Sequence, residues 1–242
     1  MNYLIRRCTT REELAACVTL QKEIWGYSDL EVYPLRLFVN LNQTGGQVVA
    51  AFAPAGRAVG FVAAMPAWRK GERYFHSLSL GVLPGHENRG LGRALKLEQR
   101  RLALRAGIER IEWTFDPLRA KNAFFNIERL GAISRRYIAD HYGAVDSQFQ
   151  KGLPSDRLVA EWWLKSGRVR RALTGKPPRS RRRPAAEVAV PAEIDALKKG
   201  QAVAVQSRVR EQLQVCFARK LAITGFVLEG TTANYLLDPY ED

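Results

Sequence analysis

The stretch that most narrows the fold of this chain is Gly81-Val-Leu-Pro-Gly-His-Glu-Asn-Arg-Gly-Leu-Gly-Arg93. An apolar strand, Tyr74 to Leu83, runs into a short polar loop, and a helix follows. Successive backbone N–H groups at a helix start form an anion nest, and the helix dipole adds partial positive charge there. Glycine lets a bulky phosphate approach the main chain. Gly90 and Gly92 stand at this start, and Arg89 and Arg93 add side-chain charge. The stretch therefore reads as a pyrophosphate cradle, set against the plainer reading of a strand-to-helix turn. Two familiar cradles are excluded. There is no G-x-x-x-x-G-K-[ST] nucleotide loop, and the glycines do not follow the G-x-G-x-x-G dinucleotide pattern.

Composition narrows the setting. At 242 residues the chain is long enough for one good core, or a core with an appendage. Cys8, Cys17 and Cys216 make an odd count without metal-ligand spacing, so they read as buried thiols in a reducing cytoplasm. No cluster suits a metal or redox centre. Apolar runs such as Val48 to Ala53 fall far short of a membrane span, and the N-terminus lacks a signal-peptide pattern. The net charge of +14 is concentrated: Lys165 to Arg183 holds nine basic residues and no acidic one. That run has no interleaved aromatics, so a solvated linker is preferred over a nucleic-acid surface.

Along the chain, Met1 to Cys8 reads as a strand. Thr10-Arg-Glu-Glu13 is a capping box for a helix burying Leu14, Cys17, Val18 and Ile24. Pro34 opens a short helix to Leu41. Gln47 to Ala53 and Ala58 to Met65 form a hairpin, and Tyr74 to Leu83 is the next strand. The helix Arg89 to Ala106 buries Leu91, Leu95, Leu102 and Ala106. Ile108 to Phe115 is a strand, and Asp116-Pro117 starts a helix reaching Leu130. Ile133 to Ala139 and Leu158 to Leu164 are strands. Ser166 to Pro184 reads as a poorly ordered linker. Beyond it come a strand near Glu187 to Val190, a helix from about Ala192 to Lys220, and a hairpin pairing Ile223–Leu228 with Ala233–Leu237. This tail completes the first core or a dimer, and a homodimer stays open.

The pattern x-x-x-Gly90-x-Gly92 between strand and helix resembles motif A of the GNAT superfamily of acyl-CoA-dependent N-acyltransferases. That motif is usually Gln/Arg-x-x-Gly-x-Gly/Ala, and here its first position is Glu87. The order β-α-α-β-β-β-α-β-α-β-β up to residue 166 is similar to the order of that superfamily. Asn122-Ala-Phe-Phe-Asn-Ile-Glu-Arg-Leu-Gly131 resembles its motif B, and Trp113-Thr-Phe-Asp-Pro-Leu118 resembles a subgroup of predicted acetyltransferases. The implied fold class is α/β (α+β): a mixed, mostly antiparallel twisted sheet flanked by helices, with a small C-terminal β-α-β-β extension. The implied organisation is an acyltransferase domain over 1–166, a basic linker over 167–184 and the extension over 185–242.

The resemblance also implies site residues. The main chain of Leu80, Gly81 and Val82 pairs with the pantetheine arm of CoA like an added strand. The loop Glu87, Asn88, Arg89, Gly90, Leu91, Gly92 and Arg93 takes the pyrophosphate. Asn122 hydrogen-bonds the pantetheine, and Arg129 reaches a CoA phosphate; the alternatives are a first-turn helix residue and a solvated helix face. Acyl-CoA thus sits in the cleft between the motif A strand and the Ile108–Phe115 strand.

An amine with a pKa near 10 is mostly protonated at neutral pH, so transfer needs a base or a base–water chain. Counting eleven positions back from Glu87 lands on His76, where several family members carry a Glu base. An imidazole titrating near 6.5 suits that task. Glu112 is the second candidate base, against the reading of a solvent-facing acid on a half-exposed strand. Asp116 reads as a helix cap. Family members commonly carry a Tyr acid four residues before the motif B glycine; here that position is Ile127, which cannot protonate a thiolate. Tyr137 or Tyr142 substitutes, or the thiolate leaves unassisted. His141-Tyr142-Gly143 and Ser155-Asp156-Arg157 border the acceptor pocket or are ordinary turns. Trp25, Tyr27 and Tyr33 line that pocket or close the core.

The sequence thus points to a cytoplasmic N-acyltransferase with acetyl-CoA or another acyl-CoA as co-substrate. It needs no metal and no membrane, and its acceptor is a small-molecule primary amine such as an amino acid. Acetyl is the default acyl group; succinyl is the alternative, used by related members with amino-acid acceptors. Two competing readings are a catalytically degenerate acyl-CoA sensor and a nucleic-acid-associated protein acting through the basic run.

Overall fold

A computed structural model describes residues 3–143, 152–178 and 183–240. The described residues divide into two compact units, one ending at Glu112 and the other beginning at Trp113. In the first, β1 (Leu4–Arg7), β2 (Gln47–Phe52), β3 (Ala58–Arg69) and β4 (Glu72–Val82) lie side by side, each antiparallel to the next. The first half of β5 (Arg110–Phe115) joins β4 in parallel through Phe75↔Ile111 and His76↔Glu112. A parallel pair needs a crossover, and α3 (Leu91–Arg105) supplies it.

The first unit's helices start and pack as their sequences dictate. Thr10 Oγ1 accepts from the Glu13 N–H while Glu13 Oε2 accepts from the Thr10 N–H, closing the capping box of α1 (Arg11–Trp25). Arg6 also grips the Glu13 carboxylate and holds its pKa down at about 2. Together α1 and α2 (Leu35–Gln43) pack on each other and on the sheet, and α3 packs on β1 to β4. Consequently β2 is buried along its whole length, as a strand covered on both faces must be. The core runs through Phe38, Phe61, Val62 and Leu95.

Two departures from the sequence reading shape the site. The β3–β4 hairpin extends beyond Met65 to Arg69 and turns at Lys70 and Gly71, whose φ values of 50° and 82° suit a two-residue type I′ turn. Pro66 masks the strand in the sequence, yet it pairs with Phe75. Further along, Ala64 pairs with Ser77 but Ala63 pairs with Ser79, so Leu78 is an extra residue bulged out of β4. A bulge bends its strand and raises local twist.

In the second unit, β7 (Arg157–Trp163), β6 (Ile133–Ile138), β9 (Leu221–Glu229), β10 (Thr232–Pro239) and β8 (Ala186–Pro191) are neighbours in that order. The β6–β7, β6–β9, β9–β10 and β8–β10 pairings are antiparallel. Helix α6 (Lys199–Ala218) packs on β6, β8 and β9. The helix expected from Pro117 to Leu130 is shorter. It comprises α4 (Ala120–Phe124) and a π turn (Phe125–Arg129), with Asp116 Oδ1 accepting from the Leu118 N–H just upstream.

The stretch read as a linker opens instead as α5 (Gly167–Leu173), N-capped by Ser166 Oγ, with Val169 and Ala172 buried. Arg168, Arg170 and Arg171 donate to main-chain carbonyls, Arg168 from a half-buried position and the other two from the surface. Residues 179–182 of that run lie outside the described residues. Cys8, Cys17 and Cys216 are free and buried. Among the described residues no helix is long and apolar enough to cross a membrane.

Candidate active site

The loop between β4 and α3 takes three left-handed residues: Gly85, Asn88 and Gly90, with φ of 85°, 58° and 79°. Gly90 is the N-cap of α3, and no side chain caps that helix. The first α-helical bond there is from Ala94 N–H to Gly90 C=O, at 3.0 Å. The N–H groups of Leu91, Gly92 and Arg93 therefore precede the helical ladder, as every helix start leaves its first donors. A Cβ on Gly90 would meet nothing within 4 Å, so the space beside Gly90 itself is open. Glu87, Asn88 and Arg89 are exposed, while Gly92 and Arg93 are half-buried. Tyr3 ties the loop down: its hydroxyl lies 3.0 Å from His86 Nδ1 and accepts from Arg89 Nη1. A glycine-led helix start without a side-chain cap can receive an anion such as a phosphate.

On β4, Leu80, Gly81 and Val82 pair with Val62, Phe61 and Gly60 of β3. Gly81 is packed hard. A Cβ there would come within 2.8 Å of Ile24 Cδ1 and of the Trp25 ring. Trp25 in turn stacks on Tyr27 and meets Phe61 edge-on, so it closes the core beneath this strand.

His76 is half-buried on β4, paired with Met65 on one side and Glu112 on the other. Parallel register neighbours point to the same face, so His76 and Glu112 are side by side. Glu112 is not the solvent-facing acid the strand pattern offers. It is 2% exposed, with Oε2 2.8 Å from Arg69 Nη1 and Oε1 3.4 Å from Arg110 Nε. Both guanidinium groups also lie over the Tyr74 ring, and Arg110 pairs with Glu72. Two cations already engage the Glu112 oxygens, which suits charge organisation beside His76 better than proton abstraction. Arg110 and Glu112, two apart on one strand, were the sequence signal for that pairing.

A second buried polar cluster carried no such signal. On α3 the buried stripe is Leu91, Leu95, Lys96, Gln99 and Ala103, so two polar residues replace the expected Leu102 and Ala106. Lys96 Nζ donates to Ser77 Oγ and Gln99 Oε1, each at 3.0 Å, and Gln99 Nε2 donates to Ser77 Oγ at 3.2 Å. Ser77 stands between His76 and the bulged Leu78. Burial pushes the Lys96 pKa down to about 7.

In the second unit, Asn122 and Arg129 are both exposed, and the Arg129 guanidinium lies 5.3 Å from the Phe124 ring centroid. Ile127 is 0% exposed within the π turn. The two tyrosines weighed as its replacement differ. The Tyr137 hydroxyl donates to Asp156 Oδ2 at 2.5 Å, and burial raises its pKa. Asp156 also takes a two-pronged grip from Arg210. Tyr142 is half-exposed, with its hydroxyl 2.8 Å from Thr114 Oγ1 on β5, Arg157 over its ring and His141 beside it. The Ser155-Asp156-Arg157 turn is thus structural. Among the described residues no group of His, Cys, Asp or Glu is arranged to hold a metal.

Comparison with known proteins bears on this arrangement. Residues 10–132 match the model of the acetyltransferase (GNAT) family. No curated protein sequence matches the chain. Among solved structures, the ribosomal-protein-S18-alanine N-acetyltransferase from Escherichia coli is similar at a TM-score of 0.52 and 15% identity, over 69% of this chain and 96% of that one. Arabidopsis thaliana NAA60 in complex with acetyl-CoA gives 0.52 and 15%, over 67% and 99%. An N-acetyltransferase from Staphylococcus aureus Mu50 gives 0.53 and 13%, over 68% and 100%.

Proposed function

The chain belongs to the acetyltransferase (GNAT) family, and from that premise we propose that it moves an acyl group from CoA to the primary amine of a small molecule such as an amino acid. The observation that carries this is the uncapped, glycine-led start of α3, following directly on a bulged β4 that bears His76. Its open approach at Gly90 supports a phosphate ligand there. Glu87 to Arg93 hold the pyrophosphate, Leu80 to Val82 offer main-chain groups to the pantetheine arm, and Asn122 and Arg129 add side-chain contacts.

The acceptor arrives as an ammonium and must lose a proton before it attacks. His76 takes that proton, directly or through a water. The amine nitrogen then bonds to the thioester carbonyl carbon, the adduct gives up its second N–H proton to water, and the C–S bond breaks as the tetrahedral adduct collapses. Glu112, fixed by Arg69 and Arg110, organises charge beside His76. Tyr142 is the proton donor to the departing thiolate, since the Tyr137 hydroxyl is committed to Asp156. A thiol pKa near 8.5 also makes unassisted departure affordable. Acetyl is the default acyl group, with succinyl as the alternative, and the reading sets the enzyme in the cytoplasm.

Thiol release from acetyl-CoA and succinyl-CoA, assayed against a panel of amines and amino acids, tests this. Turnover with one acyl-CoA and an amine supports it. The buried Ile127 at the usual acid position favours a second reading, an acyl-CoA sensor. Tight CoA binding with no turnover on any amine would select that reading.

A further inference from the structure

The α4–π segment is poorly equipped to hold itself. It comprises five helical residues and five in the π turn. Isolated helices shorter than about 12 residues are marginal in water. A π turn is rarer still and occurs mostly as a local bulge. The segment is nevertheless gripped at three places, each time by chain that follows residue 166.

At its C-terminal end, the Arg168 guanidinium donates to the carbonyls of Ile127, Gly131 and Ala132, at 3.2, 3.0 and 3.4 Å. These are carbonyls of the kind a helix end leaves unpaired. Gly131 is left-handed, φ 76°, and α5 presses against it so closely that a Cβ would lie 3.0 Å from Ala172 Cβ and 3.1 Å from Val169 Cα. In the middle, Glu128 Oε1 accepts from the Phe226 N–H of β9 at 2.8 Å. Ahead of α4, the Pro117 carbonyl accepts from the hydroxyl of Tyr235 of β10, itself fully buried, at 2.7 Å.

The match to the family model ends at residue 132, before these elements begin. We propose that the C-terminal third of the chain is a clamp that sets the position of the α4–π segment, with Arg168 and Glu128 as positioning residues acting through Asn122. The inference rests on the reading above that Asn122 meets the pantetheine arm. Arg168 touches no ligand in it. Its role is to fix the C-terminal end of the α4–π segment, whose α4 part carries Asn122, and a misplacement of about 1 Å is enough to spoil such a contact.

A double-mutant cycle tests it, with acetyl-CoA affinity measured by calorimetry on the full-length chain. The four proteins are wild type, Arg168→Met, Asn122→Ala and the double variant. Arg168→Met is expected to weaken binding roughly tenfold, as loss of charge-assisted hydrogen bonds does. In the Asn122→Ala background the same change should cost less than about twofold, because coupled residues are not additive. An equal loss in both backgrounds refutes the clamp, since damage unconnected with Asn122 would act alike in each. Asn122→Ala binding as tightly as wild type refutes it too. Wild type failing to bind acetyl-CoA removes the functional reading and the clamp with it, a failure distinct from additive losses. If Arg168→Met does not fold, the same cycle is run with Glu128→Ala, which strips the Phe226 N–H of its acceptor. Glu128→Gln, whose amide oxygen still accepts, should then restore affinity; Glu128→Gln as weak as Glu128→Ala overturns the assignment.

Discussion

Replacing Lys96 by Met gives a stability difference with a pH dependence that can be worked out in advance. Lys96 is 1% exposed, and burial lowers its pKa from 10.5 to about 7. Between those two values the unfolded chain binds a proton that the folded chain does not. Stability therefore rises with pH across that window, and below it Lys96 imposes its full, pH-independent cost. The slope approaches about 1.4 kcal/mol per pH unit, which gives roughly 2 kcal/mol between pH 7 and pH 9. Lys96→Met has no such term. It also loses the hydrogen bonds to Ser77 and Gln99, a pH-independent cost of about 1–2 kcal/mol. The variant should thus be the more stable protein at pH 7 and about level with wild type at pH 9. Urea unfolding of both at several pH values, followed by tryptophan fluorescence, measures the difference, in which titrations common to the two cancel. A gap that stays constant from pH 7 to pH 9 would mean that Lys96 keeps its proton when folded, and the reasoning from burial would fall.

Three further outcomes are expected. Gly90→Asp, which puts a carboxylate in front of the α3 donors, should weaken acetyl-CoA binding by at least about tenfold; unchanged calorimetric affinity would remove the cradle. His76→Ala should lower kcat/KM by about a hundredfold, most severely where the acceptor amine is protonated. A pH profile parallel to wild type would strip His76 of the base role. Tyr142→Phe keeps the ring under Arg157 and loses only the hydroxyl bonded to Thr114. It should lower kcat roughly tenfold with KM for acyl-CoA unchanged, and equal kcat would leave the thiolate departing unassisted.

Local rules that act over a few residues were legible in the sequence. The Thr10–Glu13 capping box, the glycine-led start of α3 and the order of strands and helices all follow from such rules. The β3–β4 extension was hidden by Pro66, because pairing across the hairpin outweighs one residue's poor strand character. The bulge at Leu78 depends on register against β3, which no single strand encodes. Lys96 and Gln99 were hidden because a polar residue on a helix reads as solvated unless its buried partner, here Ser77, is known. Glu112 was misread for the same reason: strand alternation assigns a face, and it takes Arg69 from the hairpin tip to make that face a buried ion pair. In the stretch after Ser166, arginine content suggested solvation, while the Ser166 cap and the buried Val169 and Ala172 made a helix.

The absence of a side chain at Gly81 has a consequence for how this sequence can drift. Gly90 is constrained by its own backbone, so its requirement can be met or broken alone. Gly81 has no unusual dihedral; its requirement is imposed by Ile24 and Trp25, whose Cδ1 atom and ring occupy the volume a Cβ would need. Positions 24, 25 and 81 are therefore epistatic. Gly81→Ala should be harmful while Ile24 and Trp25 are present and tolerated once Ile24→Val and Trp25→Leu together have made room. A lineage can therefore reach a larger residue at 81 only by shrinking residues 24 and 25 first, and a mutational scan of single changes would score position 81 as immovable when it is so only while those two neighbours are present.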